Sequence, residues 1–299
     1  MASGHLECLN REFHMSNTTR TVLITGTSTG FGEATASLFA TRGWNVVATM
    51  RRPEAGAALA ALDDVMVTRL DVQDQTSIDT AVAAALARFG RIDVLVNNAG
   101  FGLFGVFEAT SRQRVLEQFE VNVFGLMDVT RAILPHFRGN RSGVIVNISS
   151  GGGVFALPMT SLYNASKFAL EGFSESLAYE LAGLGIRVKI VEPGGVLSTD
   201  FVRRSTEEAG KAEASPDYDP FVEAMQFAFE GLRASRAGAT SEQVAEVIFT
   251  AATDQTEQLR YVATDNIKPW VAARRETSEA EYMVFMRALV APKLPDSAR

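Results

Sequence analysis

Short, nearly continuous runs of β-branched and aliphatic residues recur along this chain, and longer stretches with helical spacing separate them. Such runs are typical of strands in a sheet that is covered on both faces, because polar residues do not alternate with the apolar ones. Strands that are separated by helices favour βαβ crossovers and therefore a parallel sheet. The sequence predicts an α/β fold, a single-domain, doubly wound parallel sheet with helices on both faces.

The boundaries of the predicted elements follow from the same pattern. Helices are expected over 31–42, 75–89, about 111–134 and 161–183, with Pro135 at the end of the third. Ligands of doubly wound sheets bind beyond the carboxyl ends of the strands, near the switch in strand order. We therefore expect the chemistry to lie after the first, fourth, fifth and sixth strands. The predicted strands are 21–25, 45–49, 65–70, 92–98, 143–149, 186–192 and 260–264.

Length and composition fit one large globular domain, since the chain has 299 residues, of which 46% are hydrophobic and 21% are charged. We expect a flexible N-terminal tail over 1–19 and a catalytic domain over 20–299. The charged segment at about 200–240 is interpreted as a substrate lid, because a long segment between a strand and a helix is usually functional or mobile. A surface excursion or an oligomer contact is the alternative interpretation.

Several classes of function are disfavoured. A net charge of −7 without a long basic run argues against nucleic-acid binding. No apolar run reaches the ~18 residues of a membrane span, and the N-terminus lacks an apolar leader, so no membrane span and a cytoplasmic location are expected. The single cysteine, Cys8, fits a reducing compartment. With one cysteine and three widely separated histidines, no metal site is expected.

A glycine-rich turn, TGTSTGFG (25–32), joins the first predicted strand to the first helix. Gly26 permits a tight turn, Gly30 lets the backbone approach a diphosphate, and Gly32 lets the helix pack closely on the strand. The amides at the start of the helix would face that diphosphate. The turn alone does not identify a dinucleotide site, because glycine turns before helices have other uses.

The end of the second strand, ATMRR, bears on the choice of dinucleotide. Arg51 and Arg52 stand there, and no carboxylate occurs until Glu54. A guanidinium group suits the 2′-phosphate of NADP(H), whereas a carboxylate would bind a free ribose hydroxyl. NADP(H) is therefore predicted to be preferred over NAD(H); a solvated surface pair is the alternative. Asp71, after the third strand, either accepts from adenine or caps the following turn.

Residues with acid–base chemistry follow the fourth and fifth strands. Tyr163 and Lys167 in YNASK are four positions apart, so they share one face of a helix. A nearby ammonium group favours the phenolate, and we expect it, together with the charge of an oxidised nicotinamide, to lower the pKa of Tyr163 towards the working pH of an acid–base catalyst. Asn98 in NNAG could tie neighbouring strands together. In NISS, either Ser149 or Ser150 could polarise a carbonyl group.

The motifs TGTSTGFG, RLDV, NNAG, Asn122, NISS, YNASK and EPGG, in this order and spacing, resemble the classical short-chain dehydrogenase/reductase family over residues 20–265. The resemblance implies a Rossmann-like domain, an NAD(P)(H) cofactor and interconversion of alcohols and carbonyls. It implies that Tyr163 is the acid–base and that Lys167 also binds the nicotinamide ribose. The family's spacing selects Ser150, and Asn122 matches an asparagine that bends its helix and holds a proton-relay water.

The resemblance also implies a set of contacts. Thr199 is preferred over Ser198 for the nicotinamide carboxamide, and the substrate is expected to touch Phe101, Leu157 and Phe201. Phe104, Phe155, Met225 and Phe229 extend an apolar cluster that favours a bulky, hydrophobic carbonyl; ordinary packing is the alternative.

A homodimer or homotetramer through 111–134 and 161–183 is expected. The predicted cofactor contacts are Gly26, Thr27, Ser28, Gly30, Phe31, Gly32, Arg51, Arg52, Asp71, Val72, Asn98, Ala99, Gly100, Tyr163, Lys167, Pro193, Gly194, Val196 and Thr199.

Two functional hypotheses follow. The first is an NADP(H)-dependent oxidoreductase that interconverts a ketone or aldehyde and an alcohol, with an apolar small-molecule substrate. The second is a regulatory protein that senses the dinucleotide without turnover. Loss of the tyrosine or the lysine would favour the second hypothesis, and both Tyr163 and Lys167 are present. A sugar epimerase or dehydratase would need a larger C-terminal substrate domain and a different glycine spacing.

Overall fold

The structure is a computed structural model, and it describes residues 19–196, Ser205, 214–235 and 239–290. Seven parallel strands form one sheet in the order β3-β2-β1-β4-β5-β6-β7, which confirms the predicted doubly wound fold. All seven predicted strands are present and end within two residues of the expected positions. The strands are β1 (Thr21–Thr25), β2 (Asn45–Met50), β3 (Val65–Arg69), β4 (Val94–Asn97), β5 (Gly143–Ile148), β6 (Ile186–Glu192) and β7 (Arg260–Val262).

Helices cover both faces of this sheet. Short 3₁₀ turns lie at Pro53–Gly56, Gly151–Gly153, Pro216–Tyr218 and Asp265–Ile267, and a π-helical segment at Glu120–Gly125 joins two α-helices. The described α-helices are α1 (Gly30–Thr41), α2 (Ala57–Ala60), α3 (Gln75–Phe89), α4 (Arg112–Phe119), α5 (Leu126–Asn140), α6 (Ser161–Ala182), α7 (Asp219–Ser235), α8 (Ser241–Thr253), α9 (Lys268–Glu276) and α10 (Glu279–Val290).

Alternate residues of each strand face two separate apolar cores, as the near-continuous apolar runs indicate. In β1, Val22 and Ile24 pack into the core that contains α1 and α8, whereas Leu23 packs into the core that contains α3 and α5. All three side chains are completely buried. Both faces of the strand therefore need apolar residues, and a polar alternation would leave unsatisfied groups in one of the cores.

The strand order reverses beside β1, and the position of this reversal determines where the crevice at the edge of the sheet lies. β1 pairs with β2 on one side and with β4 on the other, with Ile24 opposite Val96. The connections after these neighbouring strands leave on opposite faces, because α1 and α5 belong to different cores. The two diverging connections open a crevice at the carboxyl ends of β1 and β4, where ligands of such sheets bind.

The prediction that Pro135 ends its helix is wrong. Pro135 lies inside α5, which continues to Asn140 and stops where Arg141 adopts a left-handed backbone conformation with φ of 47°. Phe137, two residues beyond the proline, is completely buried in the core. Burial of this ring favours one more helical turn, and that gain outweighs the backbone hydrogen bond that a proline removes.

The C-terminal helices form a third apolar cluster, for which the sequence pattern gave no prediction. Trp270 of α9 packs edge-on against Phe155, with 5.0 Å between ring centres, and Tyr282 and Met286 of α10 complete the contact. The expected lid at about 200–240 lies partly outside the described residues, as does nearly all of the expected N-terminal tail. Within the described part of the chain, no helix has both the length and the apolar character needed to cross a membrane.

Replacing Phe137 by alanine is expected to lower the free energy of unfolding by about 3–5 kcal/mol, because it leaves a cavity in the core beyond Pro135. Arg138→Ala is the matched control, since this neighbouring side chain is exposed, and it should change stability by less than about 0.5 kcal/mol. Denaturant unfolding measures both values. Equal effects of the two substitutions would show that the last turn of α5 is not packed as described.

Candidate active site

The glycine turn after β1 has the geometry that the sequence predicts. Gly26 and Gly30 have positive φ angles of 72° and 62°, which side chains other than glycine rarely adopt. A Cβ atom on Gly32 would lie 2.2 Å from the carbonyl oxygen of Gly26. No side chain caps the start of α1. A side chain at Gly26 or Gly32 would therefore collide with Ala99 or with the turn itself, so the close packing of this turn requires glycine, and no side chain covers the first amides of α1.

Asn98 fastens this turn to the end of β4, as expected for a residue that ties neighbouring strands. Its Nδ2 donates to the carbonyl oxygens of Thr25 and Gly26, at 2.9 Å each. In return, Thr25 Oγ1 accepts from the backbone amides of Asn98 and Ala99, at 3.0 Å each. These bonds hold the ends of β1 and β4 together at the switch point. Thr27 is buried and bonds the carbonyl of Thr49.

The other predicted cofactor contacts surround the same crevice. Arg51 and Arg52 directly follow β2, are exposed, and have no ion-pair partner among the described residues. Asp71 Oδ1 accepts from the amide of Gln73 at 3.2 Å, which matches the capping alternative. Val72 is buried against α5 and the π-helical segment, where a Cβ on Gly125 would lie 2.8 Å away. Ser28 is exposed and Phe31 is partly buried.

Asn122 lies in the π-helical segment, so the helix is irregular at the position where the resemblance implies a bend. Its Oδ1 accepts from the amide of Phe101 at 3.0 Å, and its Nδ2 donates to the Phe101 carbonyl at 2.9 Å. The same Nδ2 donates to Ser166 Oγ at 3.1 Å. Asn122 thus joins the loop after β4 to α6. Gly100 passes closely, since its Cβ would lie 3.2 Å from Oδ1.

The two serines after β5 face opposite directions, and Ser150 is the one beside Tyr163. Ser150 Oγ accepts from the amide of Gly152 at 3.0 Å and shares a hydrogen bond with the Tyr163 phenol. The Ser149 hydroxyl is buried beneath Gly153, facing Glu171. The geometry therefore brings Ser150, and not Ser149, to the phenol, in agreement with the serine that the family's spacing selects.

Tyr163 and Lys167 are both buried on one face of α6. Lys167 Nζ donates to the carbonyl oxygen of Ile148 at 2.8 Å and lies 5.9 Å from the centre of the Tyr163 ring. Burial raises the pKa of Tyr163 to about 12, although the hydrogen bond from Ser150 opposes this. Burial also lowers the pKa of Lys167 to about 8.

Lys167 does not lower the pKa of Tyr163 in the protein alone, so that part of the expectation is wrong, whereas the part that depends on the charge of an oxidised nicotinamide stays a prediction. The ammonium group is directed to a backbone carbonyl, and the removal of the phenol from water is the larger effect. At neutral pH the phenol is therefore protonated, which is the state required of a proton donor.

The turn after β6 closes the far side of the crevice. Pro193 is buried, and its carbonyl accepts from the amide of Gly151 at 2.8 Å. The amide of Gly194 donates to Thr264 Oγ1 at 2.9 Å, and a Cβ on Gly194 would lie 2.4 Å from Asn266 Oδ1. Val196 is buried. Two predicted contacts lie outside the described residues: Thr199, for which Ser198 is the alternative, and Phe201.

A pocket of about 510 Å³ lies between the loop after β4, the start of α6 and the segment at the start of α7, and none of the predicted catalytic residues is part of its wall. Tyr218 Oη donates to Glu108 Oε2 at 2.7 Å and joins the segment before α7 to the loop after β4. Phe104 packs edge-on against Tyr163, with 5.7 Å between ring centres. Phe101 and Leu157 are not among the residues of the pocket wall, and Phe155 packs on Trp270. The pocket is lined by Gly105, Val106, Phe107, Glu108, Met159, Ser161, Tyr218 and Phe221.

The sequence analysis missed a buried cluster of charges beside Lys167. Arg260 Nε donates to Glu171 Oε2 at 2.9 Å, and Arg275 binds both carboxylate oxygens of Glu192. The side chain of Glu192 is completely buried. One sequence signal was available, because Glu171 is four residues after Lys167 and therefore on its helix face. Arg260 and Arg275 come from distant segments, and no sequence pattern near them predicts that they pair with Glu171 and Glu192.

Comparison with known proteins identifies the family of the chain. A sequence model described as short chain dehydrogenase matches residues 20–210. The chain therefore belongs to the short-chain dehydrogenase family and is an oxidoreductase of that family. An uncharacterized oxidoreductase from Schizosaccharomyces pombe is 40% identical over 80% of this chain and 98% of its own. Human 17-beta-hydroxysteroid dehydrogenase type 1 is 34% identical over 93% of this chain and 88% of its own.

Solved structures share the same fold. A short-chain dehydrogenase from Streptomyces avermitilis has a TM-score of 0.75 at 35% identity, covering 91% of this chain and 98% of its own. A short chain dehydrogenase/reductase from Burkholderia phymatum, solved in complex with NAD, has a TM-score of 0.73 at 27% identity. The match covers 93% of this chain and 97% of its own. ElxO, solved with NADP bound, has a TM-score of 0.65 at 27% identity, covering 82% and 98%. The second of these neighbours was therefore solved with NAD and the third with NADP.

Replacing Lys167 by methionine is expected to raise the free energy of unfolding at neutral pH by about 2 kcal/mol, because a buried ammonium group is no longer desolvated. The pKa of Lys167 is about 8 in the fold, below the ~10.4 of an unfolded lysine. Between these two pH values the unfolded chain binds more protons than the folded protein, so the wild-type protein gains stability as the pH rises. The free energy of unfolding of wild type therefore approaches that of Lys167→Met in this window.

Denaturant unfolding at neutral pH and at about pH 10 measures this difference. Lys268→Met is the control, because the Lys268 side chain is 60% exposed, and it should show no comparable change with pH. A Lys167→Met protein that is less stable than wild type by the same amount at both pH values would contradict the account.

Proposed function

We propose that this protein is an NADP(H)-dependent oxidoreductase that interconverts a carbonyl and an alcohol on an apolar substrate. The observation that carries the proposal is the hydrogen bond between Ser150 and Tyr163, with Lys167 one helical turn further on, at the carboxyl edge of the sheet. A hydroxyl, a buried phenol and an ammonium group are the groups that carbonyl reduction requires. They lie across the crevice from the glycine turn.

The glycine turn suits a dinucleotide, because only glycine permits its positive φ angles and its close packing, and the first amides of α1 carry no side-chain cap. Lys167 would hold the nicotinamide ribose, and the turn at Pro193 and Gly194 would line the ring. When bound, the reduced cofactor supplies the hydride. The buried positions of Tyr163 and Lys167 exclude water from the place where the substrate carbonyl would lie.

In the reduction, Ser150 Oγ donates a hydrogen bond to the carbonyl oxygen and stabilises the negative charge that develops there. Tyr163 Oη then transfers its proton to this oxygen. The high pKa of Tyr163, about 12, keeps that proton in place at neutral pH. In the reverse direction the phenolate must form, and the charge of Lys167 stabilises it. The protonated phenol is the form of Tyr163 that carbonyl reduction uses.

The preference for NADP(H) is supported by Arg51 and Arg52, which are exposed and free of ion pairs with the described residues. They follow β2, whose carboxyl end lies next to the glycine turn of β1, since Thr25 pairs with Thr49. A guanidinium group there would bind the 2′-phosphate by charge-assisted hydrogen bonds. No carboxylate stands at the end of β2, where Met50 is buried.

A hydrophobic substrate is supported by Phe104, whose ring packs edge-on against that of Tyr163, the proposed proton donor. A homodimer or homotetramer is supported by exposed apolar side chains on the helices that were expected to associate. Leu116 in α4, Phe124 in the π-helical segment and Phe168 in α6 are each more than 40% exposed. Isolated exposed apolar residues are common, but three on adjoining helices favour an interface.

A panel of apolar ketones and aldehydes, assayed by the loss of NADPH absorbance, tests the proposed reaction. Consumption of NADPH that depends on the carbonyl compound, with formation of the alcohol, is the expected result. Tight NADPH binding without turnover of any member would instead favour the regulatory protein that senses the dinucleotide.

Tyr163→Phe is expected to lower kcat by at least about 10²-fold, because it removes the transferable proton and keeps the ring. The affinity for NADPH should stay within a few fold. Tyr179→Phe is the matched control on the same helix, since Tyr179 is 75% exposed, and its kcat should equal that of wild type. Wild-type turnover by Tyr163→Phe would remove this residue from the proposed role.

Arg51→Ala is expected to reduce the preference for NADPH over NADH in kcat/KM by roughly 10–100-fold, the value of one charge-assisted bond to a phosphate. The change should appear mainly in KM, because the 2′-phosphate is remote from the reacting carbon. Arg138→Ala, an exposed arginine at the end of α5, should leave the preference unchanged. An NADH preference in the wild-type protein would contradict the assignment.

A further inference from the structure

Glu171 lies one helical turn beyond Lys167 on the buried face of α6. Tyr163, Lys167 and Glu171 are spaced four residues apart, so the three side chains form one row along the helix. We propose that Glu171 is a positioning residue whose negative charge keeps Lys167 in its ammonium form within the active site. This inference rests on the proposed function, and it assigns a role to a residue that does not itself touch the substrate.

The surroundings of Lys167 show why it needs such a partner. The ammonium group is buried, and the hydrogen bond that it donates to the carbonyl of Ile148 replaces only part of its hydration. Two effects act on its pKa: burial lowers it to about 8, and the negative charge of Glu171 raises it. Without that charge, burial alone would favour the neutral amine at the pH at which the enzyme works.

Glu171 is itself paired with an arginine from a distant strand, which offsets part of the rise that burial causes in the pKa of Glu171. Arg260 Nε of β7 donates to Glu171 Oε2 at 2.9 Å, and the same guanidinium also pairs with Glu175. The pKa of Glu171 is raised by burial and by the nearby charge of Glu192, whereas Ser149 and Arg260 lower it. The Ser149 hydroxyl and Glu171 Oε1 have no other hydrogen-bond partner among the described residues.

The buried carboxylates near Lys167 are Glu171 and Glu192, and their guanidinium partners are Arg260 and Arg275. Glu175 also pairs with Arg260, but its side chain is 43% exposed, so its charge is largely screened by water. Glu171 lies one helical turn from Lys167 on the same buried face of α6, so it is the carboxylate whose charge acts on the ammonium group. Tyr163, on the other side of Lys167, is protonated and adds no charge.

The pKa of Lys167 can be measured directly, without cofactor or substrate. The chain contains five lysines, so labelling with [¹³Cε]lysine gives a simple NMR spectrum in which the Lys167→Met variant identifies the Lys167 signal. In Glu171→Gln, the pKa of Lys167 is expected to fall by about one pH unit. Glu175→Gln is the matched control: it also removes a carboxylate from Arg260, but it lies a turn further from Lys167, and the titration of Lys167 should stay as in wild type.

A kinetic measurement links this shift to the active site. In Glu171→Gln, the alkaline limb of kcat/KM for carbonyl reduction should move to lower pH by about one pH unit. Glu171→Asp keeps the charge, so it should restore most of the wild-type profile, and it also serves if the glutamine variant fails to fold. A purely structural role would lower activity equally at all pH values and leave the limb in place.

The outcomes separate this inference from the proposed function. An unchanged titration of Lys167 in both folded variants, Glu171→Gln and Glu171→Asp, would overturn the inference even if the enzyme reduces ketones. A shifted titration in a protein that turns over no carbonyl compound would support the coupling of Glu171 to Lys167 and contradict the proposed reaction.

Discussion

Burial of the Lys167 ammonium group is the constraint on which the arrangement of the carboxyl edge depends. A charged group that leaves water is costly unless hydrogen bonds and opposite charges replace its hydration. The carbonyl of Ile148, at the end of β5, supplies the hydrogen bond, so α6 must lie across that strand end. The same placement brings Tyr163 to Ser150 and fixes Asn122 against Ser166. The position of one helix thus assembles the acid–base site beside the glycine turn.

Much of the fold and of the candidate site could be predicted from the sequence because it depends on local patterns. Apolar runs reveal strands that are buried on both faces, and the close approach at Gly32 follows from a turn within one segment. The spacing of Tyr163 and Lys167 fixes their common helix face before any tertiary contact is known. These features are set by residues a few positions apart, which is the range over which sequence patterns are informative.

The features that could not be predicted arise from tertiary packing. Arg260 reaches Glu171 across 89 positions of sequence, and nothing near either residue indicates the pair. Pro135 is tolerated within α5 only because Phe137 enters a core built from distant strands. The pKa of Tyr163 depends on how completely the fold removes the phenol from water, and this burial outweighed the neighbouring lysine that the helix spacing had indicated.

The most direct test of the account follows the reacting atoms. The protein would be incubated with NADPH that carries deuterium at the transferable position of the nicotinamide and with an apolar ketone, and the alcohol would be analysed by mass spectrometry and NMR. The account predicts one deuterium on the carbinol carbon of the product, and formation of this product at least about 10²-fold more slowly by Tyr163→Phe. Alcohol without deuterium at that carbon, or no alcohol from any ketone that binds, would contradict hydride transfer at this site.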